Sequence, residues 1–247
     1  MNKNCIKKIF YYELRRMLLN KLFFGMLLVN GLFAWFVLSF DIIMGVSYTA
    51  PFSVWSYCAY LGKTLPLAMI TVLLLLANYY SRKQKRVEIL TSATPTSSFC
   101  QIMIRTMAAG ICFLLIYLVV IVLALLFYIS FFRFYDFAAF ILPSVLLLLP
   151  CFLFFVGLGQ LLGSIHRSLV YVLMLLALAL NTMPSAFDFF GAGYISTIPL
   201  TLPAGTDGEP AFEIGAAFLA TRLLYLVFGI VCIYLTTTIL SRKSQKA

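Results

Sequence analysis

Long apolar runs that contain almost no charge restrict the fold of this chain more than any other feature. Of its 247 residues, 63% are hydrophobic and only 11% are charged, whereas a soluble domain usually has about a quarter of its residues charged. A helix needs about 20 apolar residues to cross the hydrocarbon core of a bilayer. The runs are continuous rather than alternating, which argues against membrane-spanning strands. The sequence therefore predicts an all-α, polytopic membrane protein with a single transmembrane domain over residues 1–247.

The apolar runs divide into six predicted spans. These are residues 22–40, 64–80, 106–132, 137–165, 168–187 and 223–241. Before the first span, apolar residues recur at helical spacing, namely Ile6, Phe10, Leu14, Met17 and Leu18. Lys8 and Arg15 lie on another face of that helix. Residues 3–20 are therefore predicted to form an amphipathic interfacial helix that contacts anionic headgroups of membrane lipid; the alternative is a plain positively charged anchor that happens to be helical.

The placement of charge orients the predicted bundle. If both termini are cytoplasmic, most Lys and Arg residues lie inside, and only Lys63, Arg133 and Arg222 lie outside. Cytoplasmic loops of membrane proteins carry such an excess of basic residues. We therefore expect a multi-pass protein of the cell membrane with both termini in the cytoplasm. The net charge of +10 is spread over the ends of spans instead of one polar face, which argues against a nucleic-acid partner.

Two regions have unusual composition. The external loop at residues 184–213 is rich in Gly, Pro and aromatic residues and too apolar to be simply solvated. We expect a re-entrant-like segment there, before the last helix, provided that protein neighbours satisfy its backbone. In the fourth predicted span, Gly159 and Gly163 have the spacing that lets a second helix approach closely, within or between subunits.

Motifs for catalysis or cofactor binding are weak. Gly62, Lys63 and Thr64 imitate the end of a phosphate-binding loop, but Tyr57 stands where that motif needs a glycine. His166 is the only histidine, and the six cysteines have no metal-type or redox-type spacing, with Cys58 alone expected on the outer side. The chain is therefore predicted to be no enzyme and to hold no cofactor or metal of its own.

Arg222 is a single charge beside the last predicted span. If that helix begins near Glu213, Arg222 lies about 13 Å along it. Its side chain then either extends to the outer interface, pairs with Asp188 or Glu213, or faces a substrate path.

The loop at residues 81–105 joins the second and third predicted spans on the cytoplasmic side. It opens with a basic cluster formed by Arg82, Lys83, Lys85 and Arg86. Residues 87–90 favour a helix, Pro95 interrupts the chain, and Ser97 or Ser98 caps the next helix. A short helix between two turns, parallel to the membrane, suits a rigid lever that fits into a groove of a partner.

This loop resembles the corresponding loop of type-2 ABC exporter permeases. Their pattern is an acidic residue, a leucine pair or near-pair, small residues, a proline and then a basic residue. It is matched in order by Glu88, Leu90, Thr91 with Ser92, Pro95 and Arg105. Arg86 and Val87 stand where a glycine often precedes the glutamate, and Ser97 and Ser98 stand where a basic residue often follows the proline.

The resemblance implies a membrane-spanning permease subunit of an ATP-driven exporter. ATP and Mg would be bound by a separate cytoplasmic ABC ATPase, to which the 81–105 loop couples, and a second permease copy or a paralogue would complete the pathway. The second and fifth spans would line the cavity, where Asn78, Asn181 and Thr182 are among the few polar groups. Such a lining favours a hydrophobic or amphipathic substrate, such as a peptide, a drug or a lipid-like molecule.

Two other classes of protein remain alternatives. The chain is also compatible with a non-transporting immunity or sensor subunit that binds a peptide and signals to a cytoplasmic partner. A secondary transporter is the weaker alternative, because it normally needs acidic or polar groups within the membrane for ion coupling.

Overall fold

The computed structural model describes residues 3–80, 98–182, 189–202, 210 and 212–245, and these residues contain helices and no strands. The α-helices are α1 (Lys3–Leu18), α2 (Lys21–Val37), α3 (Val54–Tyr79), α4 (Ser98–Phe132), α5 (Ile141–Ile165), α6 (Arg167–Thr182), α7 (Ala192–Thr197) and α8 (Ala216–Gln245). A π-helical turn, Leu38–Ile42, continues α2, and single 3-10 turns at Ala138–Phe140 and Ile198–Leu200 adjoin α5 and α7.

Five helices of the described chain are long and apolar enough to cross a membrane. They cover Lys21–Ile42, Val54–Tyr79, Phe99–Phe132, Ala138–Ile165 and Ala216–Ser241. The all-helical, polytopic architecture is therefore that of a multi-pass membrane protein. The fifth predicted span, residues 168–187, overlaps α6, whose 16 described residues extend for about 24 Å. Residues 183–187 of that span lie outside the described chain.

Three helices begin well before the spans predicted for them. The predicted spans 64–80, 106–132 and 223–241 each started after a charged residue, at Lys63, Arg105 or Arg222. In the structure all three charges lie inside helices. Each has partners there: Lys63 Nζ lies 3.0 Å from Asp41 Oδ2, and the two arginines are buried against other helices. A hydropathy rule ends a helix at a charge because it does not include such partners.

The central helix of the bundle is α3, which contacts α2, α4, α5, α6 and α7. It begins after Ser53, whose side chain accepts a hydrogen bond from the backbone N–H of Ser56 and caps the helix. Most of its side chains are buried. The exceptions between Gly62 and Tyr79 form one half-buried stripe at helical spacing, consisting of Lys63, Leu67, Ile70, Leu74 and Asn78, and Tyr79 continues it at the end of the helix.

Two glycines bring the backbones of α5 and α8 close together. A Cβ atom added to Gly157 would lie 2.4 Å from the carbonyl oxygen of Gly229, and one added to Gly229 would lie 2.4 Å from the carbonyl oxygen of Leu153. The two helices therefore pack backbone to backbone, as small residues allow in membrane proteins. Sequence analysis had singled out Gly159 and Gly163, which face α3 instead, and had not identified this contact.

The two ends of the bundle differ in charge. The end that contains Tyr80, Arg105 and His166 also carries the cations of α1 and is called the basic end here. The opposite end contains Ser47 and the N-terminus of α3. Arg167 lies at the basic end, because α6 follows directly on α5. Ser196 lies at the opposite end, where its carbonyl accepts a hydrogen bond from Ser47 Oγ.

The segment from Phe189 to Leu202 is packed into the opposite end of the bundle. Ala192 lies against Gly62 of α3, and the Tyr194 hydroxyl accepts a hydrogen bond of 2.9 Å from the backbone N–H of Gly215. This segment is the main described part of the loop predicted to be re-entrant-like, and residues 184–188, 203–209 and 211 of that loop lie outside the described chain.

Candidate functional site

The predicted coupling loop leaves the bundle at Tyr80 and returns at Ser98. All seven of its predicted partner-binding residues lie outside the residues that the structure describes, namely Arg82, Lys83, Lys85, Arg86, Glu88, Leu90 and Pro95. The structure describes the base of the loop, where α3 ends and α4 begins. The contacts at that base determine how a force on the loop would enter the bundle.

Arg105 lies at the centre of this base. Its side chain is only 2% exposed, and its guanidinium carbon lies 3.4 Å from the centroid of the Tyr79 ring. Its Nη1 donates a hydrogen bond of 3.2 Å to the Tyr80 hydroxyl. A buried cation is costly unless it has partners, and a cation over an aromatic face contributes about 0.5–2 kcal/mol. Arg105 therefore connects the first residues of α4 to the last residues of α3.

Tyr80 extends this connection to α5. Its hydroxyl donates a hydrogen bond of 3.3 Å to the carbonyl of Gln160. A Cβ atom on Gly163 would lie 2.3 Å from the Tyr80 ring, so the ring can lie on α5 only because residue 163 has no side chain. The Gln160 side chain in turn donates a hydrogen bond of 3.0 Å to Thr106 Oγ1.

These contacts form one unit, which we call the junction cluster: Tyr79, Tyr80, Arg105, Thr106 and Gln160. It joins α3, α4 and α5 at the basic end, where both ends of the 81–97 segment attach. It has no arrangement of a nucleophile with a base, and among the described residues no three metal-ligating side chains come together. Its contacts connect the base of the loop to all three helices.

Arg222 is the second buried cation, and it lies toward the opposite end. Its side chain is 2% exposed, its Nη1 donates a hydrogen bond of 2.6 Å to the carbonyl of Phe189, and its guanidinium carbon lies 4.4 Å from the Phe218 ring centroid. The side chain is therefore directed into the protein and not along the surface. Asp188 lies outside the described residues, and Glu213 is exposed and forms no ion pair with Arg222 in the described chain.

Gly191 shapes the chain beside Arg222. Its φ of +83° is in the left-handed region that favours glycine, and a Cβ atom there would lie 2.6 Å from Arg222 Nη2. The turn and the cation therefore determine together how the 189–202 segment enters the bundle.

Two of the residues predicted for a substrate path, Asn78 and Arg222, have described side chains, and these two lie in different parts of the bundle. Asn78 is half-buried near the basic end, where it lines a cleft with residues of α1 and with Asn20, the N-cap of α2, whereas Arg222 contacts Phe189. Asn181 and Thr182 lie in the last described turn of α6, and their side chains lie outside the described part of the chain.

Gly159, which was predicted to pack against another helix, faces α3, where an added Cβ atom would lie 2.7 Å from Leu73.

Sequence analysis missed one polar contact between α2 and α3. Asn30 Nδ2 donates a hydrogen bond of 2.8 Å to Thr71 Oγ1, and both side chains are buried. A lone asparagine in the middle of an apolar run was the available signal, because such a residue needs a partner in the bilayer. The partner itself was not evident from the sequence.

Comparison with known proteins identifies no relative of this chain: no family model matches it, and no curated protein or solved structure is significantly similar to it.

Proposed function

We propose that this chain is the membrane-spanning permease subunit of an ATP-driven ABC exporter. A separate cytoplasmic ATPase would bind ATP and Mg. The observation that carries the proposal is the junction cluster, which ties both ends of the basic 81–97 segment to three helices of the bundle.

The proposed mechanism is a shift between two arrangements of the bundle. ATP binding closes the ATPase dimer and moves the segment around Glu88 and Pro95. Because Tyr80 and Arg105 connect the base of that segment to α3, α4 and α5, the three helices move together. The cavity then opens to the other side of the membrane, as in other transitions that move rigid elements.

The proposed topology has six crossings and both termini in the cytoplasm. The sixth crossing would consist of α6 together with the chain as far as α7, since residues 167–196 pass from the basic end to the opposite end. The basic end would face the cytoplasm, in accordance with the excess of Lys and Arg there.

The half-buried stripe of α3 is the surface that we assign to the substrate path. On one side of the stripe, Thr71 accepts a hydrogen bond from Asn30 of α2. On the other side, Leu73 lies against Gly159 of α5, and Leu173 of α6 also lies near that glycine. The second and fifth predicted spans would therefore border an opening that a second permease copy or a paralogue closes. Leu67, Ile70 and Leu74 make this surface apolar, which favours a hydrophobic or amphipathic substrate.

The direct test is a charge reversal in the predicted lever. We expect Glu88→Arg to insert normally but to reduce transport-coupled ATP hydrolysis at least tenfold, because the reversed charge would repel the groove of the ATPase that a glutamate fits. The measurement is substrate-stimulated ATPase activity in liposomes that contain the permease and an ABC ATPase that co-purifies with it. Glu213→Arg is the matched control, since it makes the same charge change in an exposed residue at the opposite end.

Two outcomes would contradict the proposal. Equal activity of Glu88→Arg and the unmodified chain would reject the lever. Failure of any ATPase to form a complex with the chain, combined with peptide binding by the chain alone, would instead support an immunity or sensor subunit.

Topology has a separate test by thiol labelling. Cys58 cannot report its side of the membrane, because it is buried in α3. We therefore expect a membrane-impermeant maleimide on intact cells to label Met44→Cys, whose parent side chain is 89% exposed, and to leave His166→Cys unlabelled until the cells are opened. Both variants need Cys5→Ser and Cys100→Ser in the background. The reverse labelling pattern would overturn the proposed orientation.

A further inference from the structure

A polar cleft lies at the corner where α1, α2 and α3 meet. It is lined by Arg16, Met17, Asn20, Leu75, Asn78 and Tyr79 and has a volume of about 110 Å³. One water occupies about 30 Å³ of the liquid, so the cleft can admit a group of several heavy atoms. The cleft shares Tyr79 with the junction cluster and Asn78 with the half-buried stripe of α3, and its other lining residues belong to neither.

The chemistry of the cleft favours an anion. The Arg16 side chain is 37% exposed and has one acidic neighbour, Glu13, at 3.7 Å. Its guanidinium carbon lies 4.9 Å from the centroid of the Tyr79 ring, whose other cationic neighbour is Arg105. Asn20 and Asn78 add amide groups to the same lining. A guanidinium with neutral amide donors beside it matches the oxygen atoms of a phosphate group.

The surroundings of the cleft indicate a lipid as the source of that phosphate. Two of the lining side chains, Met17 and Leu75, are apolar and buried. The cleft thus combines polar and apolar groups in one lining at the basic end. This is the arrangement at which a headgroup and the start of its acyl chains meet.

We propose that this cleft binds the phosphate of an anionic phospholipid and thereby holds α1 against the end of α3. The inference depends on the membrane location of the chain and is independent of the proposed transport function. The bound lipid would contact Tyr79 and so lie next to the junction cluster.

The test compares two neighbouring arginines. We expect Arg16→Gln to weaken retention of phosphatidylglycerol about tenfold, as for the loss of one charge-assisted hydrogen bond. Arg15→Gln should change it less than twofold, because Arg15 is exposed and does not line the cleft. The measurement is native mass spectrometry of the full chain released from nanodiscs that contain equal amounts of phosphatidylglycerol and phosphatidylcholine. Asn78→Leu provides a second variant that keeps all cations and should also lower retention.

Each alternative result has a defined meaning. Equal losses in Arg15→Gln and Arg16→Gln would show a diffuse surface effect and would overturn the site. Unchanged retention in both Arg16→Gln and Asn78→Leu would do the same. If millimolar inorganic phosphate displaces phosphatidylglycerol and protects the chain from heat equally well in phosphatidylcholine nanodiscs, the lipid assignment is wrong and a soluble phosphate is the ligand.

Discussion

Replacing Gly229 by alanine should force α8 away from α5 and lower the melting temperature of the purified protein by several degrees. The added Cβ atom would lie 2.4 Å from the Leu153 carbonyl oxygen and 2.8 Å from the Phe154 nitrogen. These are backbone atoms of a helix, so they cannot rotate away as a side chain can. Overpacking of this kind costs about 1–3 kcal/mol, and occasionally more. The measurement is thermal unfolding in detergent, followed by the loss of monodisperse protein.

Gly25→Ala is the matched control for this substitution. Gly25 also lies inside a helix, but a Cβ atom there would meet nothing within 4 Å. Alanine should therefore be neutral or stabilise by about 0.5–1 kcal/mol through its better helix propensity. If Gly229→Ala and Gly25→Ala melt alike, α5 and α8 do not pack backbone to backbone. Gly157→Ala should resemble Gly229→Ala, and the double variant should be less than additive because both act on one contact.

Replacing Arg222 by leucine should release the 189–202 segment from the bundle. The substitution removes a hydrogen bond from a charged group to the Phe189 carbonyl and the cation on the Phe218 ring. From typical values for these interactions, the loss is about 2–4 kcal/mol. We expect amide hydrogen exchange in residues 189–202 to accelerate by at least tenfold, while exchange in α4 stays unchanged. Mass spectrometry of peptides from the protein in nanodiscs measures both.

Lys63→Leu is the comparison for Arg222→Leu. Lys63 also lies inside a helix at the opposite end, but its ion pair with Asp41 is about 40% exposed on both sides. Exposed pairs contribute about 0–1 kcal/mol, so this change should have little effect on exchange. Arg222→Lys should behave like Arg222→Leu, because an ammonium group cannot reproduce the planar guanidinium contacts. Unchanged exchange of residues 189–202 in Arg222→Leu would show that the cation does not hold this segment.

The charges inside helices explain where sequence-based prediction of the fold lost accuracy. Continuous apolar runs indicated the membrane-crossing helices, since a helix satisfies its backbone hydrogen bonds within one segment. The predicted spans began at residues 64, 106 and 223, directly after Lys63, Arg105 and Arg222, and in the structure the helices extend through all three charges. A partner distant in sequence, such as Asp41 for Lys63 or Phe189 for Arg222, lets each helix continue through the charge.

The glycines also show that spacing within one helix can indicate a face for packing but does not identify the helix that packs there. Spacing identified Gly159 and Gly163 as a face that another helix can approach, and the structure places α3 on that face through Leu73 and Tyr80. The closer contact between Gly157 and Gly229 follows no local spacing, because its two glycines lie on different helices. Only the path of the chain brings them together.

For the candidate site, the sequence alone indicated a basic loop with a lever-like pattern, and its seven partner-binding residues remain predictions. The base of that loop came from the structure. Arg105 was noted only as the basic residue that enters the next helix, and Tyr79, Tyr80 and Gln160 had no signal beyond polarity near the end of a span.

The sequence by itself determined that this chain is helical and belongs in a membrane, because its long apolar segments are stable in the hydrocarbon core of a bilayer and not in contact with water. It also determined which end of the bundle is basic, since that depends on which loops carry Lys and Arg. The tertiary structure decided which charges are buried, which helices touch at their backbones and which three helices share the junction cluster. Those features depend on pairs of residues far apart in the chain, and a pattern read along one segment contains no information about a partner on another.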